Sequence, residues 1–145
     1  MADLARCNRE GGRIALPYGD GCHAPIAAED QVRLIATVLA QPAAHIGKTY
    51  TLCGPVEMNQ QQIAEKISEV LDRKIVYRPA NIEEYRAHLD QYPLPEFVIQ
   101  HFLAIAIDYQ NGVFAGVDGV IGEITGQAPQ GIGYFVKANR STFGH

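Results

Sequence analysis

Nowhere in its 145 residues does the chain gather lysine and arginine into a cluster, and its formal charge is −4 with a pI near 5.7. Without a basic patch there is no electrostatic footprint for nucleic acid or for an anionic membrane, so neither is expected as a partner. No apolar run approaches the roughly 20 residues that cross a bilayer. The opening MADLARCNREGG lacks the apolar core of a secretory signal, and a cytoplasmic protein is expected. Cysteine is scarce: Cys7, Cys22 and Cys53 form neither a C-x-x-C pair nor an even-numbered framework, which points to reduced thiols. The five histidines show no H-x-x-x-H spacing and no Cys/His cluster, so no metal is expected.

What is present is the profile of one soluble domain over residues 1–145, with 47% hydrophobic and 19% charged residues. GRIALPY reads as a short strand. In AAEDQVRLIATVLAQP, Val32, Ile35, Ala36 and Leu39 recur at helical spacing behind Glu29 and Asp30, acidic residues that suit a first helical turn. GKTYTLCGP alternates Tyr50 and Leu52 with Thr49 and Thr51, as a strand closed by Gly54-Pro55 would. Asn59 and Gln62 have capping-box spacing ahead of a stripe of Ile63, Ile67, Val70 and Leu71. KIVYRP is a third strand. Asn81 and Glu84 cap IEEYRAHL, and Pro95 starts a helix that Asn111-Gly112 ends. From Gly112 to Gly133 glycine recurs so often that a loop-rich crossing is expected, followed by a short final helix anchored by Phe135 and Phe143. Alternating strands and helices favour an α/β fold: a partial Rossmann-like unit with a few short, mainly parallel strands and about five helices.

The stretch LPYGDGCHAPIAAED fits G-x-G-x-x-[G/A] at Gly19, Gly21 and Ala24, the spacing of a dinucleotide-binding turn. Two features speak against that use. Pro25, which follows, has no amide hydrogen to offer a phosphate, and the acidic residue expected about 20 positions on for the ribose is missing. A plain strand-to-helix turn is the expectation. Cys22 and His23 are adjacent, and neighbours on an extended segment point in different directions, so no thiol–imidazole dyad is expected. No tyrosine has a lysine four residues on; Tyr134 and Lys137 are three apart, which suits a packing tyrosine and a solvated lysine. His88 and His101 suit structural roles on helices. No catalytic set emerges.

The ordered pieces, an Asp30-x-x-Arg33 helix, the Gly47-Lys48-Thr49-Tyr50-x-Leu52-x-Gly54-Pro55 strand and a Thr125-Gly126-x-x-Pro129 turn, resemble the C-terminal half of NmrA-like proteins. These are atypical short-chain dehydrogenase/reductases that include NAD(P)H-dependent quinone and isoflavone-type reductases. The resemblance covers nearly the whole chain. It implies a substrate-side domain whose N-terminal dinucleotide-binding half is absent. On that reading Gly12 to Tyr18 is the strand beside the substrate cleft, and Asp30 is the helix-start aspartate. Tyr18 and His23 line the substrate pocket, and no residue of this chain binds a cofactor, NAD(P)H being implied for full-length relatives. The implied partners are a second copy of the chain or the missing half, and a small-molecule ligand. Two functions follow from the resemblance: the substrate-side half of a reductase, or a non-catalytic regulatory, ligand-binding or interaction module.

Overall fold

The computed structural model describes residues 12–143. Two pairs of short strands and six α-helices alternate along the described chain. The strands are β1 (Arg13–Leu16), β2 (Cys22–His23), β3 (Met58–Asn59) and β4 (Val76–Pro79). The helices are α1 (Ala28–Ala40), α2 (Gln60–Leu71), α3 (Ile82–Leu89), α4 (Glu96–Gln110), α5 (Val120–Thr125) and α6 (Ile132–Ala138), with short 3-10 turns at Pro42–His45 and Arg140–Phe143. β1 and β4 pair in parallel, Arg13 opposite Val76 and Leu16 opposite Pro79. β2 and β3 meet in a two-residue antiparallel bridge. The fold is α/β, with a small parallel sheet as its centre.

The core forms where the periodic stripes converge. Ile14 and Leu16 from β1, Tyr77 from β4, and Ile63, Ala64, Ile67 and Leu71 from α2 are buried together with Tyr85, Leu89, Ile99, Ala106, Val136 and Phe143. α2 lies between β4 and α6, while α3 packs on α4. The expected stripe on α2 is therefore its buried face, and Phe143 and Phe135 pack into or against the core as C-terminal anchors. Both boxes are formed: the Asn59 side chain accepts from the Gln62 amide at 2.9 Å while Gln62 accepts from the Asn59 amide at 2.9 Å, and Asn81 and Glu84 repeat the exchange on α3. Asn59→Ala removes one of these acceptors and is expected to lower stability by about 1 kcal/mol. Urea denaturation checks this through a lower midpoint at unchanged slope.

Two local expectations differ from what forms, and the helix expected over Val32 to Leu39 forms with an unexpected buried face. Val32, Ile35, Ala36 and Leu39 on α1 are exposed, and the helix instead turns Asp30 and Leu34 inward. Residues 48–54 form no strand, because no described segment offers them a ladder; one link, from the Gly54 amide to the Ala24 carbonyl at 3.0 Å, ties them to the chain before α1. Within the glycine-rich crossing, α5 forms from Val120–Thr125, stopped by Gly126 at φ +70°. α1 packs on α5, so a helix too short and glycine-rich to be seen locally is supported by its tertiary neighbour.

Candidate functional site

Where β1 ends, the chain turns sharply beside the end of α4. The Gly21 amide closes this turn on the Tyr18 carbonyl at 2.9 Å. Tyr77, reaching over from β4, donates its hydroxyl toward the carbonyls of Leu16 at 3.0 Å and Gly19 at 3.2 Å, and Gln110 donates to the Pro17 carbonyl at 2.6 Å. A β-carbon at Gly21 would collide with the Tyr109 carbonyl, and one at Gly54 with the Pro25 carbonyl. These glycines are thus spent on close backbone contacts inside the protein. Gly19 and Gly21 lie in the turn from β1 into β2, so β2 stands between this turn and the helix that a strand-to-helix turn was expected to reach. α1 opens only at Ala28, after Pro25, and its N-cap Ala27 supplies no side-chain cap.

The turn places Tyr18 flat against Tyr109 of α4, with ring centroids 4.1 Å apart and planes 8° from parallel. His23 meets the same Tyr109 ring edge-on at 5.1 Å and 89°, and Phe114 adds a tilted ring at 4.7 Å. Together they form an aromatic wall. It faces a cavity of about 550 Å³ also lined by Ile14, Leu16, Cys53, Gln60 and Gln130. Tyr18 and His23, the two residues expected at a pocket, both line it. Tyr109, Phe114, Gln60 and Gln130 were not legible as site residues. They lie 37 to 112 positions away from His23 or Tyr18 along the sequence, and no local spacing marks them.

Asp30 does not cap α1. It is fully buried (0% exposed), its carboxylate 2.8 Å from the Arg33 guanidinium and accepting from the Gln130 amide at 2.7 Å. Arg33 also donates to Thr125 Oγ1 at 3.3 Å and to the Gln127 carbonyl at 3.3 Å. The Asp30-x-x-Arg33 helix and the Thr125-Gly126-x-x-Pro129 turn, separate in sequence, are therefore one interaction, and it holds Gln130 and Gly131 at the cavity.

The other singled-out residues lie apart. Tyr134 is exposed and not packed as expected, and Lys137 is exposed as expected. The Cys22 thiol points to the Asp20 carbonyl at 3.6 Å. His88 sits edge-on to Tyr92, and His101 is exposed beside Phe102. Cys7 lies outside the described residues. Among the described residues no group of histidine, cysteine and carboxylate side chains is placed to hold a metal, and no described helix is long and apolar enough to cross a membrane.

Burial pushes the Cys53 thiol up, aided by the neighbouring Asp118 carboxylate, so the thiol is the resident form at neutral pH. Burial acts oppositely on His23, holding the imidazole below its ordinary 6.5. The unfolded chain then takes up this proton more readily than the folded one. The stability contributed is complete above 6.5 and is lost as pH falls from there toward the folded value. Thermal unfolding of the wild type and His23→Leu from about pH 8 to about pH 5 is expected to show the larger acid loss in the wild type. Equal losses would remove His23 as the cause.

No family model matches the chain. Over 120 residues it is 28% identical to festuclavine synthase I of Penicillium roqueforti (strain FM164), a match that covers 81% of this chain and 41% of that protein. The NADPH-dependent quinone oxidoreductase QOR2 of Escherichia coli superposes with a TM-score of 0.80 at 20% identity, over 92% of this chain and 48% of QOR2. Triphenylmethane reductase of Citrobacter sp., solved with NADP(H), gives 0.77 at 24% identity, over 94% and 47%. A nucleoside-diphosphate-sugar epimerase of Staphylococcus aureus gives 0.79 at 20% identity. The chain spans less than half the length of each of the first two relatives and of the reductase. Its fold is the one found in about half of each of these solved chains.

Proposed function

We propose that this chain forms the substrate side of an NmrA-like NAD(P)H-dependent oxidoreductase of the quinone- or isoflavone-reductase type, the dinucleotide being held by the dinucleotide-binding half of such a reductase. The observation that carries the reading is the aromatic-walled cavity at the end of β1, apolar over most of its lining and marked by few polar groups, as small-molecule sites usually are. Tyr18, Tyr109 and Phe114 give the cavity aromatic surface that suits a flat ring, and His23 borders it. The described residues do not fit a dinucleotide. A pyrophosphate needs free amides at a helix start, whereas here Pro25 has none, Gly21 is packed against the Tyr109 backbone, and α1 begins beyond both. The chain supplies binding and orientation, working in the cytoplasm, and the reducing equivalent comes from the other half.

The two parts of this reading separate in titrations of the chain alone. Menadione, a flat quinone, is expected to quench tyrosine fluorescence saturably, while calorimetry with NADPH shows no binding at high protein concentration. A low-micromolar NADPH affinity overturns the division of labour. Absence of quinone binding, together with no gain of NADPH-dependent quinone reduction when a dinucleotide-binding half is added, favours the alternative of a non-catalytic interaction module.

A further inference from the structure

We propose that His23 sets the ligand specificity of the cavity: its Nε2–H donates a hydrogen bond to an oxygen carried by a flat, otherwise apolar ligand lying along the wall of Tyr18, Tyr109 and Phe114. The inference rests on the reading of this cavity as a substrate site, and it concerns binding only.

Three observations lead to it. First, His23 is held in place: it pairs with Met58 in the β2–β3 bridge, directly beside the capping box of α2, and its ring stands at 89° on Tyr109. Second, the tautomer follows from the surroundings. His23 Nδ1 is sealed from solvent and has no hydrogen-bond partner among the described residues. A neutral imidazole carries one N–H and one bare lone pair, and a buried N–H without an acceptor is the costlier orphan. The hydrogen therefore resides on Nε2, and Nδ1 keeps the lone pair. His23 lines the cavity, and Nε2 is the ring nitrogen left to offer it a donor. Third, the His23 ring contacts the aromatic wall edge-on at Tyr109. A ligand stacked there brings its edge, where ring oxygens project, to the imidazole. A site whose donor is buried by the ligand discriminates strongly against an analogue lacking the oxygen, because the donor is then left unpaired.

The test compares 2-acetylnaphthalene with 2-ethylnaphthalene, two flat probes of like size that differ in a carbonyl oxygen. Dissociation constants come from tyrosine fluorescence and calorimetry on the full chain. In His23→Leu the ketone is expected to weaken about tenfold relative to the hydrocarbon, and His23→Gln, which keeps an N–H donor, recovers most of that loss. The ratio between probes isolates the hydrogen bond, since loss of packing affects both. On wild-type protein, the Nε2 nitrogen resonance is expected to move with the ketone and stay in place with the hydrocarbon, a readout that does not depend on any variant folding. A probe ratio unchanged in His23→Leu, or a resonance indifferent to the ketone, overturns the assignment while leaving the cavity a binding site. Failure of both probes to bind overturns the assignment and the substrate-site reading together.

Discussion

Asp30→Ala is expected to destabilise the protein by about 3 kcal/mol, lowering the thermal midpoint by roughly 10 °C for a chain of this size. The carboxylate is fully buried, and its two contacts belong to different parts of the chain: Arg33 one turn along α1 and the Gln130 amide 100 residues later. Removing it leaves the Gln130 amide without its acceptor and the Arg33 guanidinium without its counter-charge. Arg33 is 23% exposed, so water reaches the stranded cation and the cost stays near the lower end for a broken buried pair. Arg33→Leu is expected to be at least as damaging, because it strands a carboxylate that water does not reach. Asp30→Asn keeps an acceptor for Gln130 and should lose about 2 kcal/mol, between the wild type and alanine. Calorimetric scans of the three variants check this order. A change within about 0.5 kcal/mol for Asp30→Ala, the range of an ordinary surface site, would mean that the contact contributes nothing to the fold. Since Gln130 and Gly131 line the cavity, ligand affinity should fall alongside stability in each variant.

This contact also shows where sequence reading reaches and where it stops. The helix starts at Asn59 and Asn81 were legible because a capping box is closed within four residues, and the α2 stripe was legible because one helix face meets one core. The Asp30 and Thr125 motifs were each visible, yet nothing local indicates that they touch. A helix-start aspartate is ordinarily a cap or a favourable charge near the helix dipole; here the residue before Asp30's turn supplies no side-chain cap, and the carboxylate serves a distant backbone amide instead. The cavity was half legible for the same reason. Tyr18 and His23 flank a turn that glycine spacing reveals, whereas Tyr109 and Phe114 come from the far end of α4 and the segment after it, brought in by the packing of the α4 terminus on Gly21. The Tyr50–Leu52 alternation had the right pattern for a strand, but a strand also requires a neighbour to pair with, and no described segment supplies one.

The second large effect is expected at Ile67, and its contrast with Ile35 decides what the apolar face of α1 is for. Both are isoleucines on amphipathic helices with similar spacing of apolar neighbours. Ile67 is 0% exposed within the core, whereas Ile35 is 52% exposed. Ile67→Ala should destabilise by about 3 to 4 kcal/mol, the transfer loss plus the cavity left among the surrounding buried side chains. Ile35→Ala in a monomer should change stability by less than about 0.5 kcal/mol. The exposed run of Val32, Ile35 and Leu39 nevertheless has the pattern of a covered face, and contiguous apolar patches of this kind commonly mark contact surfaces. A second copy of the chain would cover it by two-fold symmetry. In that event Ile35→Ala lowers the unfolding midpoint by an amount that grows with protein concentration, because association stabilises only the folded form, and light scattering finds a species heavier than the 15.9 kDa monomer. A monomer across a wide concentration range, with Ile35→Ala neutral at every concentration, overturns self-association. Ile67→Ala is independent of this outcome: its cost should be the same at all concentrations, since the side chain packs within one copy.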